Sequence, residues 1–343
     1  MQRINWIDWA KAWCMTVVVF EHTPHDASSF LLQFLAGTNL STFFFISGYL
    51  KKPVTSQKEV IKKYTYCLLL PYLIYNAIYY PYWIGKTYIE HDGIITIADC
   101  LKPIIGTLLG QLNSSFSCEL NGVTWFLITL FTMHWIADFC NRQKHGRKWM
   151  TGISLIAMIL YGANKYYHFA PYLVFHGLVR CIAFFFLGII FKQMAFLKEN
   201  GFKKDFTIGI SLLVTSLLFF YWHIHELSFI LHIILYFVVN ILSVIAIIYL
   251  WRCVDGIKSK LITYISIGTM LIFGIHRILI GIIDFLAEKG LHTPDILYNW
   301  VEAGLITIAI EAIIIPFIIV SRNRYPILLG KKSIPQKAES IVA

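Results

Sequence analysis

Polar residues interrupt the chain at intervals, and between the interruptions lie apolar runs, each long enough to make a helix. The run from Leu231 to Leu250 has His232 as its only ionisable residue. At 1.5 Å rise per residue, about 20 apolar residues cross a hydrocarbon core of about 30 Å. The pattern predicts ten helices, over 5–23, 31–50, 64–84, 123–140, 149–163, 172–191, 206–223, 227–251, 261–286 and 298–320. The longest break, 85–122, holds a moderately apolar piece, 94–112, which Asp99, Lys102 and Pro103 interrupt. It is expected to be a re-entrant or surface helix capping a site. The expected fold class is an all-α integral membrane protein, a bundle of about ten transmembrane helices. Its membrane domain would cover 1–325, with a short tail over 326–343.

Composition agrees with a bilayer. Only 14% of residues are charged and 57% are apolar, whereas soluble domains carry about 25% charge. The formal net charge is +10. Its placement decides what that charge means, because membrane proteins concentrate Lys and Arg in cytoplasmic loops. Lys51, Lys52, Lys58, Lys62 and Lys63 follow the second run; Arg142, Lys144, Arg147 and Lys148 follow the fourth; Lys192, Lys198, Lys203 and Lys204 follow the sixth. The alternate loops hold only Lys86, Lys102, Lys165 and Lys289. Both termini are therefore expected in the cytoplasm, and nucleic acid is not needed as a partner. Arg3, Asp8 and Lys11 break the stretch where a cleavable signal would be uninterrupted, so the first helix is expected to stay. The seven cysteines show no metal-ligand spacing, and no metal is expected; Cys100 and Cys118 share one outer loop and are a candidate disulfide pair.

Charged side chains at the centre of a membrane cost at least about 2.5–3.5 kcal/mol, so each asks for a partner or a role. The first helix carries Asp8, Lys11, Glu21 and His22. Lys11 and His22 are eleven residues apart, almost three turns, which puts them on one face about 16 Å apart. A histidine there can act as general base toward a hydroxyl acceptor. The competing reading pairs Lys11 with Asp8, one turn away, and leaves His22 at the interface. Glu21 projects about 100° from His22 and is a poor orienting partner for it. His176 and Arg180 share a face of the sixth helix, while His276 and Arg277 lie inside the ninth. The two arginines are expected to face the bundle interior, either binding an anion or bracing a helix. His134, His223, His225 and His232 read as structural.

Five stretches resemble membrane acyltransferase family three, in particular its fucose-4-O-acetylase-like branch of sugar O-acetyltransferases. They are WIDWAKAWCMTVVVFEHT (6–23), with Lys11 and His22 at the family's basic-residue and histidine positions; STFFFISGYL (41–50), ending in Ser47 and Gly48; LLLPYLIYN (68–76); VTWFLITLF (123–131), with Trp125, Phe126 and Leu127; and the pair RCIAFFFLGIIFK (180–192) and SIGTMLIFGIHRILI (266–280), with His276. The resemblance implies a cytoplasmic acyl-CoA donor, probed first as acetyl-CoA, used as co-substrate with no bound cofactor. It also implies an extracytoplasmic saccharide or glycolipid acceptor and a bacterial inner-membrane location. On that basis His22 and Lys11 are the catalytic candidates, and Lys62, Lys63 and Arg180 are candidates for donor binding. Glu21, Ser47, Trp125, His276 and Arg277 would line the passage or the acceptor site. Trp83 and Trp125 are candidates to stack on the acceptor's ring. Two positions depart from the pattern: Tyr64 and Cys67 stand where the family has a basic pair meeting the donor's phosphates, and Asn39 stands where the branch often has histidine. The rival class is a secondary transporter or lipid-sugar flippase using the same buried ionisable residues as a proton relay.

Overall fold

A computed structural model describes residues 4–26, 28–54, 56–170, 172–194, 197, 201–226, 228–291 and 296–331. Among them are twelve α-helices: α1 Asn5–His22, α2 Phe30–Tyr49, α3 Gln57–Tyr64, α4 Leu70–Glu90, α5 Ile97–Leu108, α6 Trp125–Arg142, α7 Gly146–Tyr167, α8 Leu173–Gln193, α9 Phe202–His225, α10 Phe229–Arg252, α11 Lys260–Leu291 and α12 Trp300–Arg324. No strand occurs among the described residues, only an isolated bridge between His25 and Tyr298. The protein is an all-helical, multi-pass membrane protein. Seven segments are long and apolar enough to cross a bilayer: α2, Gly122–Arg142 (α6 and the turn before it), α8, α9, α10, 260–290 of α11, and α12. Three further helices, α1, α4 and α7, have similar lengths of 18, 21 and 22 residues but a more polar composition.

Several expected boundaries shift, among them α4, which ends at Glu90 rather than 84, and α7, which runs Gly146–Tyr167; two changes shape the site. The third predicted helix begins at Gln57 rather than 64, because Ser56 caps it: its side chain accepts from the Glu59 N–H at 3.2 Å. Helix α3 then continues into α4 through a π-helical turn, Thr65–Leu69. Pro71 explains that turn, since it has no N–H to offer the Cys67 carbonyl four residues earlier. The second change is in the outer break, where the 94–112 piece holds the shorter helix α5, Ile97–Leu108. Thr96 and Asp99 form a capping box at its start, and the buried Gln111 ties the segment down. Its amide donates to Asn76 Oδ1 at 2.7 Å, and its Oε1 accepts from Leu120 N–H at 2.9 Å.

Helix α1 lies in the middle of the bundle, packed on α2, α10, α11 and α12. Helices α2 and α8 approach each other closely, and small residues let them. A Cβ at Gly48 would collide with the Phe185 carbonyl, and one at Gly188 with the Phe45 carbonyl. Phe44, Phe45, Phe184, Phe185 and Phe186 fill the layer around that contact. An unpaired polar group is costly in a low-dielectric interior, and several inside the bundle find partners across helices. Ser41 donates to Asn240 at 2.7 Å, Thr16 to Glu311 at 2.8 Å, and Arg252 to Asp205 at 3.1 Å. Residues 326–331, expected to start the tail, pack on the bundle instead. Leu329 is buried, and the Tyr75 hydroxyl donates to the Leu328 carbonyl. Residues 332–343 lie outside the described residues.

Candidate functional site

The helices meet at two ends. The start of α1 and the ends of α2, α6 and α8 form a lysine-rich end; the end of α1 and the 85–122 segment mark the opposite, loop end.

At the lysine-rich end a cavity of about 750 Å³ opens between α1, α2, α3, α6 and α11. Lys11, Lys51, Lys52, Lys63 and Lys331 supply its positive charge, Asp8 adds one of opposite sign, and Ser47, Tyr64 and His134 also line it. Lys11 is anchored on α11: its Nζ donates to the Ser266 carbonyl at 2.6 Å, and the Ser266 hydroxyl donates to Asp8 Oδ1 at 2.6 Å. Asp8 and Lys11 thus share Ser266 and face the cavity together. Lys51, in the α2–α3 connection, is buried beside Asp138 at 3.9 Å. Burial holds its ammonium below the usual lysine range, with Asp138 pulling the other way.

Further along α1, His22 meets His276 of α11. The His276 Nε2 lies 3.3 Å from His22 Nδ1, with ring centroids 5.0 Å apart. His22 Nδ1 also contacts the Val18 carbonyl at 2.7 Å, and His276 Nδ1 contacts the Ile272 and Phe273 carbonyls at 2.9 and 3.1 Å. A carbonyl only accepts, so in the neutral rings both Nδ1 atoms carry the proton. His276 Nε2 then accepts from His22 Nδ1, and His22 Nε2 keeps its lone pair, the atom able to take a proton. The Val18 carbonyl and His276, not Glu21, are the groups that contact His22 Nδ1.

The loop end has its own cavity, about 250 Å³, lined by Tyr79, Tyr82 and Trp83 of α4, Glu119 and Arg277 among others. Asn121 holds this loop on α11 by donating to the Gly274 carbonyl at 3.0 Å, which brings Glu119 toward Arg277. Burial pushes the Glu119 carboxyl up, and the Arg277 charge opposes that rise. Along α11, Met270 lines the first cavity and Arg277 the second, so His276 sits between them, about 9 Å beyond Met270.

Several expected residues lie elsewhere. Lys62 points to an apolar surface recess with Tyr66 and Leu73, away from Lys63, because neighbours on a helix diverge by about 100°. Arg180 is far from the lysine-rich end: it donates to the Tyr236 hydroxyl at 2.5 Å and lies over that ring, in a group with Tyr161 and His176. Glu21 belongs to the Arg180 side as well, with its buried Oε1 lacking a hydrogen-bond partner. Ser47, expected in the passage or at the acceptor site, lines the lysine-rich cavity and donates to the Phe43 carbonyl. Trp125 is half-buried against Gly177 and Phe44, so its ring serves packing. Arg277, expected in the interior, is exposed in the loop-end cavity. Cys100 and Cys118 are both free thiols.

His134 is the residue that sequence reasoning missed. It is buried, lines the lysine-rich cavity, stacks on Tyr64 with centroids 3.9 Å apart, and its Nδ1 has no hydrogen-bond partner. A lone histidine in an apolar run carries no signal of this, since its neighbour Tyr64 lies 70 residues earlier. Among the described residues no cluster of His, Cys, Asp or Glu is suited to hold a metal.

Comparison with known proteins adds one match. A family model described as an acyltransferase domain covers residues 4–320. No curated protein and no solved structure matches the chain.

Proposed function

Because the chain belongs to this acyltransferase family, we propose that it is a membrane O-acyltransferase, an acetyltransferase in the first instance, that moves an acyl group from acyl-CoA at the lysine-rich end to a hydroxyl of a saccharide or glycolipid at the loop end. The observation that carries the reading is the His22–His276 pair, set between a basic cavity and an aromatic one. Five lysines at one mouth suit a phosphorylated carrier. Tyr79, Tyr82 and Trp83, with Glu119 and Arg277, suit a ring that presents apolar faces and hydroxyls.

The chemistry follows from the tautomer. His22 Nε2 takes the proton of the acceptor hydroxyl while its oxygen attacks the thioester carbonyl. The tetrahedral adduct collapses, the C–S bond breaks, and the thiolate leaves and takes the proton to give free thiol. During the step His22 is an imidazolium, and the contacts of its Nδ1–H with the Val18 carbonyl and His276 Nε2 stabilise that charge. Lys11, on the same stripe of α1, holds the donor near its anionic part.

The test is mass spectrometry of surface glycans and glycolipids from cells lacking the gene, complemented with wild type or His22→Ala. Loss of the acetyl mass increment, restored by wild type alone, supports the reading. An unchanged acyl pattern with the protein expressed sinks it and turns attention to transport.

A further inference from the structure

A second cavity, about 510 Å³, adjoins the first at the lysine-rich end and shares Lys51 and Lys52 with it. The ends of α6 and α8 complete its charged lining with Asp138, Arg142 and Lys192, beside the amides of Asn141 and Gln193. Four cations (Lys51, Lys52, Arg142 and Lys192) face one carboxylate, an excess of 4 − 1 = 3 positive charges. That carboxylate is divided between Arg142 Nε at 2.7 Å and Lys51 Nζ at 3.9 Å. The C-terminal ends of α2, α6 and α8 add roughly −0.5 each, about −1.5 together, so the lining stays positive. An anion of about two charges would neutralise it.

The cavity is also held in shape without a ligand. Lys192 Nζ donates to the Lys51 carbonyl at 3.0 Å, and an Arg142 Nη2 donates to the Val54 carbonyl at 3.0 Å. The close glycine contact of α2 with α8 fixes the wall between them. Much of the entropy of ordering these long side chains is therefore already lost before binding.

Resting on the acyl-CoA donor proposed above, we infer that this second cavity binds the donor's terminal phosphomonoester, the 3′-phosphate on its nucleotide end, while the shared wall of Lys51 and Lys52 takes the diphosphate. Tyr64 lines the first cavity without positive charge. In this chain the charge is supplied one wall over, from the α2–α3 connection, α6 and α8. The acyl-bearing arm then runs from the shared wall into the first cavity.

The experiment titrates the purified full chain in detergent with coenzyme A and with 3′-dephospho-coenzyme A by calorimetry. Wild type is expected to prefer coenzyme A by at least about tenfold, or about 1.4 kcal/mol. The double variant Arg142→Gln with Lys192→Gln, both confined to the second cavity, is expected to bring the two affinities within about twofold, and Lys192→Arg to keep the preference. Equal wild-type affinity for both ligands, or a preference that survives the double variant, overturns the inference and leaves the donor reading standing. Absence of wild-type binding to either ligand overturns both. Phosphatidic acid in the detergent micelle provides the control for a lipid source. If the double variant weakens its binding while the coenzyme A preference persists, the cavity is a headgroup site and the inference falls.

Discussion

At the scale of single residues, the proposed chemistry rests on which nitrogen of His22 is left unprotonated. His22→Ala is expected to lower acyl transfer by about 10²–10⁴-fold, the usual worth of a general base, at unchanged expression. His276→Ala removes one of the two acceptors of the Nδ1–H and leaves the Val18 carbonyl, so a smaller loss, about tenfold in kcat with donor KM nearly constant, is expected from steady-state kinetics. The lysine pair gives a sharper contrast. Lys63→Ala should raise donor KM several-fold, and Lys62→Ala should leave it unchanged, because only Lys63 lines the basic cavity. The sequence displayed Lys11, His22 and His276 as candidates because charge and imidazole are conspicuous in apolar runs. It did not display that Lys62 and Lys63 part company, that Arg277 faces a cavity rather than the interior, or that His134 meets Tyr64. Those facts depend on helix rotation and on contacts between distant segments.

At the scale of elements, the predicted helix ranges were legible because a bilayer demands apolar runs of one length, which leave a strong trace. The start of α3 was obscured because its amphipathic first turns are polar, and only Ser56 and Glu59 mark it. The α2–α8 seam depends on two glycines, so Gly188→Leu should force the helices apart. A loss of about 1–3 kcal/mol is expected, seen as a lower midpoint in thermal unfolding in detergent, with no change for Gly152→Leu, where nothing lies within 4 Å. The π-helical turn sets the rotation of α3 against α4. Deleting Cys67 removes one residue from it and should turn Lys63 and Tyr64 by about 100°, out of the cavity. Donor binding should be lost although the helix persists by circular dichroism.

At the scale of the whole molecule, the sorting of basic residues predicts that both termini face the cytoplasm. Reporter fusions after Arg324 and in the loop around His91 should report opposite sides of the membrane, and a shared side would break the proposed direction of transfer. The bundle's layout also bears on how the protein is made. Helix α1 is synthesised first, yet it packs on α10, α11 and α12, which emerge last. Until then Asp8 and Lys11 have no Ser266, Thr16 has no Glu311, and His22 has no His276. The first helix therefore waits in the membrane with its polar stripe unmet, and long-range contacts of this kind form late. The histidine pair of the proposed site becomes complete only at the end of translation, so a chain cut short before α11 is expected to be inert and exposed to quality-control proteolysis.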